Sequence, residues 1–391
     1  MRTTYLCPYS PIPRHFGGAF RVEAMWRALE ALGEVQLLVL GDPPPLEARL
    51  ELRRRGAVVF PSRRNRPLTW LRTRVPAWLR GESIPASRFL SRRRVARVVA
   101  RVASFHPDVV VVGDTYLSVL VPELLRACPR VIVDTHNLDS VAHARVAASS
   151  RNLLGKLAFG ALARNTAKVE RRFLPLAEQV WAVSETDAEG YRRLLRLSRV
   201  AVVPNVVAFP ELREVEEEPG TVVMTGSYSY WPNADAALRL IRMSRHLHAR
   251  GALARLYLVG IAPTPEMLRA AQGLEHVVVT GKVPDVRPYL ERASVVAAPI
   301  AAGSGTRLKI LEALALARPV LTTPMGAEGI GLEPGVHAEI ADLADFPARL
   351  AALLGDAARR RALGRAGREW AERRFSLEAM ERRVREQLVR G

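Results

Sequence analysis

The sequence is short of several things, and each shortage excludes a class of protein. Its 391 residues hold two cysteines, Cys7 and Cys128. Two thiols cannot build a disulfide scaffold or a cysteine-rich zinc site. Both sit in apolar, strand-like contexts and read as reduced core thiols, which suits a reducing compartment. No apolar run approaches the roughly 18 residues that a membrane-spanning helix needs. The first residues, MRTTYLCPYSPIPRHFGG, lack the long apolar stretch of a secretory signal. These absences predict a cytoplasmic chain whose membrane contact, if any, is peripheral. There is no Asp-x-Asp and no clustering of acids that would suit an octahedral cation, so no metal is expected. Acids are scarce as well: 39 Asp and Glu stand against 58 Lys and Arg, a formal charge of +19. Only Lys156, Lys168, Lys282 and Lys309 are lysines. Codon usage accounts for arginine over lysine but not for the excess over acids, which points to an anionic partner.

The chain does have apolar residues in quantity, 49% of the total, enough for sizeable cores. Short β-branched runs alternate with helix-length stretches: residues 3–7, 35–40, 57–60, 108–113, 130–135, 179–184 and 200–205, then 221–226, 255–260, 277–281, 295–300 and 319–324. These runs are continuous rather than alternating, as in strands buried on both faces of a parallel sheet. The βαβα order predicts an α/β fold of two Rossmann-like domains facing across a cleft. Residues 208–220, AFPELREVEEEPG, carry five glutamates, two prolines and a glycine and read as a linker. The expected division is 1–207, linker 208–220, 221–366, and a final helical segment 367–391.

Between residues 62 and 101 there are 12 arginines and a single acid, Glu82, with Trp70, Trp78, Leu71, Leu79 and Phe89 interleaved. Basic residues mixed with tryptophan suit an anionic membrane interface or a phosphorylated acceptor. They equally suit a solvated helix pair covering a sheet. Nucleic acid is disfavoured, since no RNA-binding fingerprint is present.

Ligands of such folds bind outside the carboxyl ends of the strands, where loop amides and helix N-termini point. After the first strand, Arg14-His15-Phe16-Gly17-Gly18 leads into a helix. A glycine pair lets backbone amides approach a ligand closely. The third glycine of the dinucleotide fingerprint is missing, so NAD is poorly supported and no cofactor is expected. After the fifth strand, Asp134-Thr135-His136-Asn137 offers an imidazole to a sugar hydroxyl or a phosphate. The strongest signal is Ala298-Pro299-Ile300-Ala301-Ala302-Gly303-Ser304-Gly305-Thr306-Arg307-Leu308-Lys309-Ile310-Leu311-Glu312. A strand ends, a Gly/Ser loop follows, and a helix opens with a lysine in its first turn. A cation there opposes the helix dipole and makes sense if an anion sits at that end. Lysine preceding glutamate by three is the weaker orientation of an ion pair. Gly226-Ser227 ends the first strand of the second domain, Gly281-Lys282-Val283 its third, and Asn205 lies at the crossover.

Together these residues resemble a family 4 glycosyltransferase of the GT-B fold. The likeness covers nearly the whole chain and is most specific in SGTRLKILEALALARPVLTTPMGAEGI, residues 304–330, with support from DTHN and TGSYSYWPNADA. The resemblance implies a nucleotide sugar held mainly by the second domain. Glu312 would bind the ribose hydroxyls, and Arg307, Lys309 and the Gly303, Ser304, Gly305 and Thr306 amides would lie near the diphosphate. Gly226, Ser227 and Lys282 would line the donor site, with Val283 beside the base. His136 would contact the transferred sugar, and the Gly17-Gly18 loop would close on phosphate or acceptor. It also implies retention of anomeric configuration without a protein nucleophile, and a last helix that crosses back to the first domain. The expected partners are a nucleotide sugar and a sugar, lipid-linked or phosphorylated acceptor. Two departures stand out: Ser304 replaces the first glutamate of the family's paired-glutamate pattern, and TGSYSYWPN lacks its Arg and Lys pair. Arg307 and Lys309 read as partial substitutes. The competing readings are a sugar-nucleotide epimerase or phosphorylase on the same fold, and a non-catalytic membrane or RNA binder on a transferase scaffold.

Overall fold

The structure is a computed structural model, and it describes residues 1–12, 17–41, 44–60, 90–150, 153–213, 215–303 and 305–389. The chain divides into two compact units, one of residues 1–206 with 377–391 and one of residues 207–376.

The first unit is built on a seven-stranded sheet of order β3-β2-β1-β4-β5-β6-β7, parallel throughout. Its strands are β1 (Arg2–Cys7), β2 (Glu34–Val39), β3 (Val58–Val59), β4 (Val109–Gly113), β5 (Val131–Asp134), β6 (Gln179–Ala182) and β7 (Val200–Val202). Side chains of a strand alternate between faces, so each continuous apolar run fills two cores at once. Leu6, Leu38, Val110, Val112, Val131 and Val133 enter one. Tyr5, Leu37, Val109, Val111, Ile132 and Trp181 enter the other.

The second unit repeats the design with six parallel strands in the order β10-β9-β8-β11-β12-β13. They are β8 (Thr221–Thr225), β9 (Arg255–Val259), β10 (Val277–Gly281), β11 (Val295–Ala298), β12 (Val320–Thr322) and β13 (Glu339–Ile340). Val222, Met224, Leu256, Leu258 and Ala297 face one way, and Val223, Tyr257 and Val296 the other. The last strand, β13, has no apolar run in the sequence to announce it. It is two residues long and, among the described residues, pairs with β12 alone.

In both sheets the strand order reverses beside the first strand, between β1 and β4 and between β8 and β11. Helices leave on opposite faces at such a point and open a crevice at the carboxyl ends of the strands.

The expected boundary at residue 366 falls inside the helix Ala357–Phe375, whose Trp370, Ala371 and Phe375 pack into the second unit's core. The change of unit comes at Leu377. From there Met380, Val384 and Leu388, spaced by four, join Val22 and Trp26 in the first unit. The acidic segment read as a linker is bound along its length to the second unit. Arg360 pairs with Glu217 at 2.5 Å and Arg292 with Glu218 at 3.1 Å, while Arg368 donates to the Pro210 carbonyl at 3.0 Å. Part of the arginine excess is thus consumed internally.

Of the basic stretch 62–101, residues 62–89 lie outside the described residues. The remainder forms the helix Arg92–Phe105, capped by Ser91, which accepts from the Arg94 amide. It buries Val98 and Val102 and turns its arginines outward, so this part is a solvated covering helix. Cys7 and Cys128 are both buried free thiols.

Candidate functional site

In the first unit, the carboxyl ends of β4 and β5 carry Asp114 and Asp134. Arg21, four residues into the helix Gly17–Glu30, donates Nε to Asp134 Oδ2 at 3.1 Å and a second guanidinium nitrogen to Asp134 Oδ1. It also reaches the Val203 carbonyl at 3.0 Å and Asn205 Oδ1 at 3.1 Å. One guanidinium therefore ties the first helix to the ends of two strands. Gly17 and Gly18 open this helix as its first two residues rather than standing before it. Arg14, His15 and Phe16 lie outside the described residues.

His136 follows directly from this anchor. Burial, reinforced by the Arg21 charge, pushes its pKa down to about 3, so the imidazole is neutral. Its Nδ1 lies 3.9 Å from Asp114 Oδ2, too far for a hydrogen bond. Its Nε2 is buried and, among the described residues, has no hydrogen-bond partner. A neutral imidazole with an unused nitrogen can exchange a hydrogen bond with a sugar hydroxyl.

Asp114 is a site residue that the sequence reading passed over. It stands at φ 116°, a left-handed conformation rare for a residue with a side chain. Such backbone costs about 1–3 kcal/mol and gathers at functional sites. Its carboxylate accepts from the Tyr116 amide at 2.8 Å and the Tyr9 hydroxyl at 3.1 Å. Burial nevertheless raises its pKa to about 7. Burial likewise raises Glu170 to about 7 and lifts Asp139 well above the carboxylate range. The signal for Asp114 was present: it directly follows an apolar strand run, as His136 does within one residue of its own.

In the second unit, the helix Leu308–Ala315 follows β11 by way of the Gly303–Arg307 loop. Gly303 and Gly305 have φ of 119° and 79°, which a side chain would oppose. Ser304 lies outside the described residues. Arg307 is buried and donates to the carbonyl of Gly305. Thr306 Oγ1 is buried and has no hydrogen-bond partner among the described residues. Lys309 Nζ donates to Asn233 Oδ1 at 2.6 Å, and Asn233 Nδ2 donates to the Ser227 carbonyl at 2.8 Å. A Cβ placed on Gly226 would come within 2.9 Å of Lys309 Nζ and 3.0 Å of Asn233 Nδ2. Glycine at 226 is what lets the ammonium reach the end of β8.

Burial, and then the neighbouring Arg307 charge, push the Lys309 pKa down to about 7, with Glu312 opposing them. Burial raises Glu312 and Lys309 holds it back. The helix N-terminus adds its own positive pole. Two cations, a helix pole and the Thr306 hydroxyl thus converge beside a glycine loop, an arrangement suited to a dianion.

The structure brings together Gly226, Ser227, Gly303, Gly305, Thr306, Arg307, Lys309 and Glu312, and adds Asn233, which sequence reasoning missed. Asn233 sits in the first turn of the helix Trp231–Ala249, where a polar residue reads as an ordinary cap. Lys282 is exposed at the end of the edge strand β10, and among the described residues no hydrogen bond or ion pair joins it to Lys309. Val283 packs against the core that holds Ile310 and Leu311.

Two parallel Rossmann-like units of this kind are the architecture of the GT-B fold. Residues 16–206 match the glycosyl transferase 4-like domain and residues 219–356 the glycosyl transferases group 1. The chain belongs to this family, the family 4 GT-B glycosyltransferases. Its fold is similar to that of Anabaena HepE, at TM-score 0.67 and 15% identity over 100% of both chains. It is also similar to sucrose-phosphate synthase of Thermosynechococcus elongatus, at 0.70 and 17% over 100% and 98%. A glycosyltransferase of Rickettsia africae shares it at 0.66 and 14% over 99% and 97%. No curated protein matches in sequence. Among the described residues, no helix is long and apolar enough to cross a membrane.

Proposed function

We propose that this chain transfers a sugar from a nucleoside-diphosphate sugar, with a UDP-sugar the first candidate, to an acceptor hydroxyl with retention at the anomeric carbon. The observation that carries this is Lys309, whose buried ammonium in a helix's first turn is set beside Arg307 and a glycine loop. HepE, of the same fold, was solved with UDP and with UDP-glucose, which supports the choice of donor. The sugar–phosphate bond breaks with its electron pair on the diphosphate, whose growing charge the two cations and the helix pole stabilise. The acceptor oxygen forms the new bond and its proton passes to the departing phosphate. Positive charge from the protein makes a metal unnecessary on this reading. His136 orients the sugar. Glu312 holds the ribose hydroxyls. The acceptor is a sugar or a lipid-linked or phosphorylated glycan precursor, met in the cytoplasm or at the inner face of the plasma membrane. The basic residues 62–101 offer the anionic contact.

Binding to the folded state raises stability by about 2.7 kcal/mol at about 100 times Kd, several degrees in melting temperature. UDP or GDP should produce such a shift, and Glu312→Ala should remove most of it. No shift with any nucleoside diphosphate would overturn the donor assignment. Once a productive donor and acceptor pair is known, NMR of the first product should show the donor's anomeric configuration. His136→Ala should then lower kcat about 100-fold or more while leaving the UDP shift intact. An inverted product, or an epimer formed from donor alone, would replace this reading.

A further inference from the structure

The helices Asp139–Ser149 and Leu153–Phe173 pack against one another as a hairpin in the first unit. The second helix holds itself in place through Ala163, Asn165, Thr166, Val169, Glu170 and Phe173. None of these belongs to its first two turns. Those turns carry Leu153, Leu154 and Leu157, exposed to 70%, 80% and 60%, and Phe159 at 38%. Four of the large apolar side chains that this molecule exposes therefore fall between residues 153 and 159. They contribute nothing to the core, and such a cluster on a surface marks a contact.

The periodicity shows how the cluster continues. Leu153 and Leu157 are one turn apart, and the same row runs at spacings of three and four through Gly160 to Arg164, Lys168 and Arg171. Leu153, Leu157, Arg164, Lys168 and Arg171 are all exposed, opposite the buried Val169 and Phe173. An apolar end and a cationic row thus share one solvent face. From Ser140 to Val169 the sequence has no Asp or Glu but has Arg145, Arg151, Lys156, Arg164 and Lys168.

We propose that the end of this hairpin docks on an anionic lipid surface. Leu153, Leu154 and Leu157 enter the boundary between headgroups and acyl chains, and Lys156, Arg164 and Lys168 meet lipid phosphates. Apolar insertion together with basic attraction is the combination that gives stable peripheral binding. A second copy of the chain fits less well. A two-fold contact would set this patch against itself, cation on cation with no acid to pair. The site extends the lipid-linked acceptor reading and rests on that reading only for its purpose. Docking needs neither donor nor acceptor, so the two can fail separately.

The test is flotation of the full chain with vesicles of phosphatidylcholine alone and of phosphatidylcholine mixed with phosphatidylglycerol. The parent should float with the mixed vesicles and not with the neutral ones. L153D/L157D and K156E/R164E should each lower the bound fraction about tenfold or more, with unchanged melting temperatures because neither pair touches the core. A parent that stays at the bottom of the gradient would overturn the proposal, as would either double variant floating like the parent. A parent that is dimeric in gel filtration, made monomeric by L153D/L157D and indifferent to lipid, would assign the patch to self-association instead.

Discussion

Replacing Lys309 by methionine should lower kcat/KM by about 100- to 1000-fold, the usual cost of losing one preorganised charge donor at a developing anion. The same change should alter the pH dependence of nucleotide binding. In the free protein Lys309 titrates near 7, against an ordinary lysine value of 10.5, because it is buried beside Arg307. A diphosphate favours the ammonium, so binding above pH 7 must bring a proton with it. UDP affinity should fall about tenfold per pH unit above the lysine's pKa, until the raised pKa of the bound state is reached. UDP itself is fully ionised there, so the slope belongs to the protein. Lys309→Met should bind weakly and lose that slope. Calorimetric titration between pH 7 and 9 would read it, and an unchanged slope in the variant would remove Lys309 from the diphosphate site.

The stability of the free protein should move in the opposite sense. Because the folded-state pKa lies below the unfolded one, the unfolded chain binds more protons between about 7 and 10.5, and stability from this group rises with pH across that window. Lys309→Met removes the cost of a buried ammonium and should melt no lower than the parent at neutral pH. A variant more stable and less active than its parent is what a strained functional residue leaves behind.

The largest effect on folding should come from Arg21→Met. Arg21 is 2% exposed and Asp134 fully buried, and the pair is joined by two hydrogen bonds. Removing one partner strands a charge in the core and costs about 3–5 kcal/mol. The guanidinium also satisfies the Val203 carbonyl and Asn205, so these lose a donor too. Thermal melts should show the first unit failing well before the second. R21M/D134L should recover most of the loss, because a hydrophobic pair of similar volume replaces a buried ion pair at little cost. A single-variant change below about 1 kcal/mol would mean that the pair is solvated as a surface bridge is. His136 follows Asp134 by two residues, so the double variant also asks whether the imidazole needs this anchor. Recovery of melting temperature without recovery of transfer would assign Arg21 to positioning.

Much of this was legible along the chain. Twelve of the strands announced themselves as β-branched runs, since a parallel strand is buried on both faces and selection for apolar side chains leaves a continuous trace. β13 left none, because two residues pairing with one neighbour need no such run. The donor loop was legible through Gly303, Gly305 and Lys309, whose residue types make sense only together at a strand-to-helix turn. Asn233 was not, although it lies only 2.6 Å from the ammonium. It is 76 residues from Lys309 along the chain, and a polar residue in a first helical turn has a local explanation already. The buried acids Asp114, Asp139 and Glu170 were hidden for the same reason: an acid in sequence carries no mark of its desolvation.

The residues alone therefore determined the strand and helix alternation, the family, and the glycines and cations of the donor loop, because each depends on local pattern and residue chemistry. Tertiary structure decided the rest. It placed the reversal of strand order beside β1 and β8, set Lys309 against Gly226 and Asn233, and bound the acidic segment 208–218 to arginines of the second unit. It also left Leu153, Leu154 and Leu157 exposed at the start of the helix Leu153–Phe173, where residue type alone favours burial. Burial and proximity between distant positions create these features, and neither quantity exists until the chain has folded.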